Sequence, residues 1–346
     1  MAPLEDRMRR LRHPALLLYF LSPIVAELLS GSAPPAEFFN PFTFILLTAF
    51  YGSAALVVRE LTFRWRKGWP TVLILGLAYG IVEEGLAVKS FFDPAWIDLG
   101  PLGVYGRWAG VNWVWSAGLT LYHAVFSIAI PILLTCLIFP DWVDRPWLSR
   151  RTFRLWSVVL ALVVLFCNLF LTAYRPPWTH LALAGAAVLG LGLMARKLPQ
   201  TLPLDSVVRL RRPRALFWRS FAATIGLFVT LWALPNTPIP PGVTLILMFA
   251  WAGIFVCAAC RLTKHAAWSR SHAVAAVSGA LLFFVLLAPV AQLDPQAADN
   301  RSGMTWVALG MGLFLIWLER RNRRPIPDAE ADPPMDPAPV DSRIAA

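Results

Sequence analysis

Two adjacent acids, Glu83 and Glu84, stand inside an apolar run from Pro70 to Phe92 that is long enough to cross a bilayer. An ionisable side chain at membrane depth costs roughly 2.5–3.5 kcal/mol on insertion scales, so a pair of them marks a candidate site. A carboxylate shielded from water is suited to general-base chemistry, with a second carboxylate or a His holding the proton or orienting the water. Such partners exist on neighbouring apolar runs. At about 1.5 Å of rise per residue, Glu83 and Glu27 each lie on the order of 20 Å from the basic end of their spans, His123 roughly 24 Å and Asn168 about 20 Å. Four spans therefore bring Glu27, Glu83/Glu84, His123 and Asn168 to one level.

The helical faces refine this set. Asn112, Ser116, Thr120, His123 and Ser127 recur at helical spacing and form one stripe, which needs the bundle interior or a wet cavity because lipid offers it no partner. Pro131 continues the stripe and deprives the Ser127 carbonyl of its usual backbone donor. Gly76, Gly80 and Glu84 share a face on which a neighbouring helix can approach closely. Tyr79 and Glu83 occupy the adjacent face, so the two acids point roughly 100° apart.

The elements that must position these residues follow from composition. With 58% hydrophobic residues, 15% charged residues and a mean hydropathy of +0.60 over 346 residues, the chain reads as an all-α, polytopic integral membrane bundle. Apolar runs of about 20 residues give about ten spans, at 14–31, 42–60, 70–90, 111–139, 155–174, 178–195, 215–234, 241–260, 271–291 and 304–319. The basic residues set the orientation. With the N-terminus inside, cytoplasmic segments hold all of the 31 Lys and Arg residues except Lys89, Arg107, Arg175 and Arg301. Both termini are then cytoplasmic, most simply in a bacterial plasma membrane. The net charge of +11 is explained by contact with anionic membrane lipids, without nucleic acid.

Four regions result: a basic cytoplasmic N-terminus at 1–13, a polar-site half at 14–140, six further spans at 141–319, and a cytoplasmic tail at 320–346. The tail is rich in Pro and Asp and is expected to be disordered. Residues 7–33 imitate a signal peptide, but Pro34 and the internal Glu27 favour a retained first helix. Arg59 and Glu60 read as a snorkelling pair at the inner interface, and Lys89 as one reaching the outer interface. Trp65 and Trp69 fit an inner aromatic belt, and Trp96, Trp108 and Trp113 an outer one. The loop 92–110 reads as a surface connection. Cys257 and Cys260, followed by His265 and His272, read as small apolar residues in a helix rather than a metal site. No metal or cofactor is implied.

The segment Tyr79-Gly-Ile-Val-Glu-Glu-Gly-Leu-Ala-Val-Lys89, followed one span later by Leu119-Thr-Leu-Tyr-His123, resembles the first two motifs of the CAAX-protease and bacteriocin-processing family of glutamate-dependent intramembrane proteases. The resemblance covers about 45 residues. It implies that Glu83 or Glu84 activates water and that His123 assists. That family's basic residue four positions after the acid pair is Val88 here, with Lys89 one further on, and its third motif is missing. Asn168 is the candidate replacement donor. An intramembrane peptidase acting on an unidentified membrane-embedded peptide or small molecule is the leading expectation. A proton-coupled small-solute transporter is the alternative, with Ser22-Pro23 and Gly185, Gly190 and Gly192 as matched helix breaks of two five-span halves. A structural polar network that only fixes helix packing is the third reading.

Overall fold

In this computed structural model the described residues are 13–201, 212–262, 268–294 and 299–323. The expectations for Arg7–Arg12, Arg209, Arg211, Lys264, His265 and the tail beyond Arg323 lie outside them.

The predicted spans appear as helices in the predicted order. They are α1 (Pro14–Leu28), α2 (Pro41–Arg64), α3 (Trp69–Ala87), α4 (Trp113–Ile138), α5 (Arg150–Leu171), α6 (Trp178–Lys197) and α7 (Pro213–Asn236), then α8 (Pro241–Leu262), α9 (Arg270–Gln292) and α10 (Met304–Arg323). Eight of these, α2 to α9, are long and apolar enough to cross a membrane. α1 is shorter, and α10 ends in a charged run that includes Glu319, Arg320 and Arg321. The chain is thus an all-α polytopic membrane protein, and its only strands among the described residues are the two-residue pair Arg107–Trp108 and Val111–Asn112.

Proline and polar caps set many helix starts. Pro14, Pro41, Pro70 and Pro213 sit in first turns, where the missing N–H is no loss. Asn40, Asn112 and Ser149 accept backbone N–H groups at the starts of α2, α4 and α5.

Burial separates centre from rim. In α3 and α4, 67% and 72% of the most apolar window is buried, against 6% in both α5 and α6. The helices that carry the acid pair and His123 therefore form the core, and α5 and α6 lie at its rim. α3 packs on α4 through the predicted small-residue face: a Cβ on Gly76 would lie 2.8 Å from the Ala124 Cα, and one on Gly80 2.9 Å from the Thr120 Cα. Such close approach maximises van der Waals contact where no hydrophobic driving force acts between helices. In the second half, α7 packs on α9 and α9 on α10.

Three expectations are corrected. Arg59 and Glu60 do not snorkel; they are 5% and 0% exposed. Glu60 accepts from Arg59, Arg64 and the Trp147 N–H, while Arg59 donates to the carbonyls of Trp142, Val143 and Arg145 and lies 3.9 Å from the Trp147 ring centroid. Five donors and acceptors within the fold satisfy this pair better than the headgroup region would, so it clamps the 140–148 loop to α2. Lys89 does not reach the outer interface either. It is fully buried, with a positive φ of 66°, and its Nζ donates to the Asn168 carbonyl at 2.6 Å, so a cation meets the carbonyl end of α5. Finally, α6 is continuous through Gly185, Gly190 and Gly192, which face open space, so the matched helix break of a five-plus-five repeat is absent there.

Candidate functional site

The helices that carry the predicted residues share a feature that periodicity did not reveal. Each contains a widened π-turn, Ile24–Leu28, Val82–Ala87, His123–Ala129 and Cys167–Leu171, as do α2 at Thr48–Gly52 and α7 at Val229–Ala233. The Leu29 N–H bonds to the Ile24 carbonyl and the Val88 N–H to the Glu83 carbonyl, each five residues back. Such turns concentrate at functional sites. In α1 and α4 the π-turn adjoins a proline, Pro23 or Pro131, which has already broken the regular ladder.

Glu27, Glu83, Glu84 and His123 all sit in these turns, and the structure brings them together. The His123 imidazole lies between the two acids of the pair. Its Nε2 is 3.1 Å from Glu84 Oε1, and its Nδ1 is 3.0 Å from Glu83 Oε2 and 2.9 Å from Ser127 Oγ. Each acid therefore reaches a different nitrogen of one ring, although a regular helix would set the two roughly 100° apart on α3. Tyr51 donates to Glu83 and also contacts Glu27, so α1 joins the cluster through α2. On the other side Ser90 donates to Glu84 and accepts from Trp115 Nε1 at 3.0 Å. The rings of Tyr51, Tyr79 and Tyr122 surround the imidazole at centroid distances of 6.1, 6.1 and 5.2 Å.

The cluster is enclosed: His123 is 2% exposed, Glu83 4% and Glu84 7%. Its one basic group in ion-pair contact among the described residues is His123. Two buried atoms lack a hydrogen bond of good geometry despite a polar neighbour, Tyr79 Oη beside the Glu83 carboxylate and Glu83 Oε2 beside His123 Nδ1. A buried polar atom without such a bond costs about 1–3 kcal/mol, so two at one site are a feature to be explained.

The remaining predicted residues are placed elsewhere. Asn168 donates to the Leu86 carbonyl at 2.6 Å, and with Lys89 it ties the end of the Glu83/Glu84 π-turn to α5 without touching a carboxylate. Asn112 caps α4 and bonds to the Leu102 carbonyl in the outer loop. Ser116 donates to the Asn112 carbonyl at 2.6 Å. Thr120 is the backbone contact for Gly80. The stripe on α4 is therefore two things: a capping and packing device above, and the His123/Ser127 pair below.

Tyr51, Ser90 and Trp115 were missed. Counting 13 residues inward from Arg64 puts Tyr51 roughly 20 Å deep, the level of the acids. Depth alone does not single out a phenol in an apolar run, because Tyr is common in membrane spans and carries no charge. Cys257 is exposed, His272 contacts Ser269 at 2.7 Å, and the Cys260 side chain lies outside the described residues.

Residues 16–320 match the profile described as an uncharacterized membrane protein family. The chain belongs to that family. An uncharacterized protein of Archaeoglobus fulgidus is 30% identical over 120 residues, a stretch that covers 34% of this chain and 36% of that relative. The chain thus spans about a third of the curated relative it matches. No solved structure matches. The matching profile takes in all of the buried cluster, from Glu27 on α1 to His123 on α4, and extends into α10.

Proposed function

We propose that this membrane protein is a membrane-embedded hydrolase that uses glutamate-activated water, with Glu83, Glu84 and His123 as catalytic residues. The observation that supports it is the seating of the His123 imidazole, with Glu83 3.0 Å from one ring nitrogen and Glu84 3.1 Å from the other. One carboxylate takes a proton from water as the water oxygen attacks a carbonyl carbon of the substrate. The carbonyl electron pair moves to its oxygen, and on collapse the leaving amine takes the proton back. The second carboxylate holds the imidazole in place. Tyr79, whose buried hydroxyl lies beside Glu83 without a well-formed hydrogen bond, is the group available to donate to the developing oxyanion, a role Asn168 does not fill from its position at the Leu86 carbonyl.

The substrate class favoured is a peptide bond within the bilayer, by the motif resemblance around Glu83-Glu84 and His123. Cytoplasmic termini in a bacterial plasma membrane belong to the same proposal. One observation favours a second reading: hydrogen bonds run from Glu27 through Tyr51 to Glu83 and from His123 through Glu84 to Ser90, and the two runs meet where Glu83 Oε2 lies 3.0 Å from His123 Nδ1, an arrangement suited to a proton relay in coupled transport.

The test is reconstitution in liposomes with a library of single-span peptides and detection of fragments by mass spectrometry. The hydrolase reading expects cleavage that falls at least about 100-fold in Glu84→Gln and His123→Ala, the scale of a lost general base. Cleavage unchanged in both variants, or pH-gradient-driven solute uptake lost in them with no cleavage by the parent protein, overturns it.

A further inference from the structure

We propose that Glu83, Glu84 and His123 bind one divalent transition-metal cation, of the zinc, manganese or iron(II) class. The inference rests on the reading of this cluster as the working site and adds the ion that would polarise the water there.

Three observations carry it. First, one ligand atom from each of Glu83, Glu84 and His123 can be chosen so that all lie within 4.8 Å of one another. Donors around an ion with bonds of about 2.0–2.2 Å are at most about 4.4 Å apart, so the set needs to close by only a few tenths of an ångström. Imidazole with carboxylates is a donor set suited to these metals.

Second, Glu83 Oε2 is buried 3.0 Å from His123 Nδ1 without hydrogen-bond geometry between them, and Nδ1 lies 2.9 Å from Ser127 Oγ. Two Lewis-basic atoms at that separation without a bridging proton have the spacing of neighbours in a coordination sphere: bonds of about 2.1 Å meeting at a right angle put them about 3 Å apart. Tyr79 Oη, also buried and without a well-formed hydrogen bond, belongs to a residue whose ring lies beside His123 and Tyr51. An ion with its bound water would supply the missing bond.

Third, the cluster holds more acids than bases, two buried carboxyl groups and the partly exposed Glu27 against one imidazole. Glu27, Glu83 and Glu84 share one hydrogen-bonded group with a single imidazole. The buried Lys89, just beyond α3, is committed to the carbonyls of Asn168 and Thr172. Buried carboxylates are stable when paired or when they coordinate a metal. Second-shell groups that orient ligands are also present, since Tyr51 and Ser90 donate to the outer oxygens of Glu83 and Glu84.

The full chain, carrying a tag without histidine, is purified in detergent and its metal content measured by mass spectrometry. About one equivalent per chain is expected. Dialysis against a chelator should empty the site, and cobalt(II) should refill it with visible d–d absorption. Occupancy should fall at least tenfold in Glu84→Gln, and in His123→Ala where that variant folds, while His180→Ala at the outer end of α6 keeps it. No metal above background and no cobalt spectrum, in protein whose helical circular dichroism matches the parent, overturns the inference. Bound metal without peptide cleavage defeats the hydrolase reading and leaves the cation site standing. Cleavage that persists in metal-free protein overturns the ion's role in polarising the water and leaves the hydrolase.

Discussion

Ser22 on α1 donates its hydroxyl proton to the backbone carbonyl of Ser127 on α4, 2.7 Å away. That carbonyl is the one Pro131 leaves without an N–H, so a helix break in one span is repaired by a side chain from another. The same hydroxyl is 3.2 Å from the carbonyl of Tyr51, so one buried serine fastens the π-turns that carry Tyr51 and His123.

Replacing Ser22 with Ala should therefore destabilise the protein by about 1–2 kcal/mol, the cost of an orphaned buried carbonyl. In a Pro131→Ala background the restored N–H can reach Ser127, and the cost of Ser22→Ala should shrink by at least half. A double-mutant cycle on thermal unfolding in detergent measures the difference. Equal costs in the two backgrounds would break the link between the serine and the proline.

Tyr51 is the hinge between Glu27 and the His123 pair. Tyr51→Phe keeps the ring contacts with Tyr79 and His123 and removes only the donor shared by two carboxylates. The expected result is a loss of hydrolysis of at least tenfold with a stability change under about 3 kcal/mol. If Glu27→Gln is made as well, the two effects should be strongly non-additive, because both remove one contact. Simple additivity would place Glu27 outside the cluster's working unit.

The approach of α3 to α4 is sterically exacting. Gly80→Ala puts a methyl 2.9 Å from the Thr120 Cα and 3.3 Å from the His123 Cβ, so the helices must part or the imidazole must move. Overpacking of this kind costs typically 1–3 kcal/mol. Activity should fall with it, because the displaced group is the one between the acids. Gly185→Ala, on the rim helix α6 with nothing near, should leave both stability and activity unchanged.

Much of this was legible in the sequence, for a physical reason: a bilayer penalises charge and polarity, so the few polar residues at depth announce themselves. Glu27, Glu83, Glu84 and His123 were found by counting residues from the basic ends, and the α3 face that meets α4 by the spacing of Gly76 and Gly80. What was not legible depended on the backbone leaving the regular helix. The π-turns re-aim side chains that a 3.6-residue period would place elsewhere, which is how Glu83 and Glu84 come to share a single ring. Asn168 stood at the right depth yet faced a backbone carbonyl, because depth fixes a level and not a direction. Lys89 and Arg59 were assigned to the interface on hydropathy, whereas free carbonyls at the end of α5 and in the 140–148 loop gave them partners inside the protein.

One titration outside the spans has a defined sign. His13 caps α1, its Nδ1 accepting from the Ala15 N–H at 3.3 Å, and only the neutral ring can accept there. Partial burial lowers its pKa below the ordinary 6.5, against the pull of the Glu60 carboxylate. The unfolded chain then binds the proton more tightly than the folded one. The cap's contribution is complete above pH 6.5 and is lost as pH falls through the lower, folded value. Amide exchange at Ala15 should accelerate as the medium is acidified through that window. His13→Asn, which caps at any pH, should abolish the acceleration; exchange that is flat with pH in the parent protein would remove His13 from the cap.

The central claim is that the buried Glu/His cluster is a working site and not packing glue, and the thermal stability of Glu84→Gln in chelator-treated protein tests it most directly. Three carboxylates around one imidazole repel one another, and the isosteric amide keeps an acceptor for Ser90 while removing one charge, so a site kept for function should tolerate the change or gain from it. A melting temperature equal to or above that of the parent protein is predicted. A fall of more than about 5 °C, equivalent to roughly 3–4 kcal/mol in a chain of this size, would show that the Glu84 charge holds the helices together and would contradict the account.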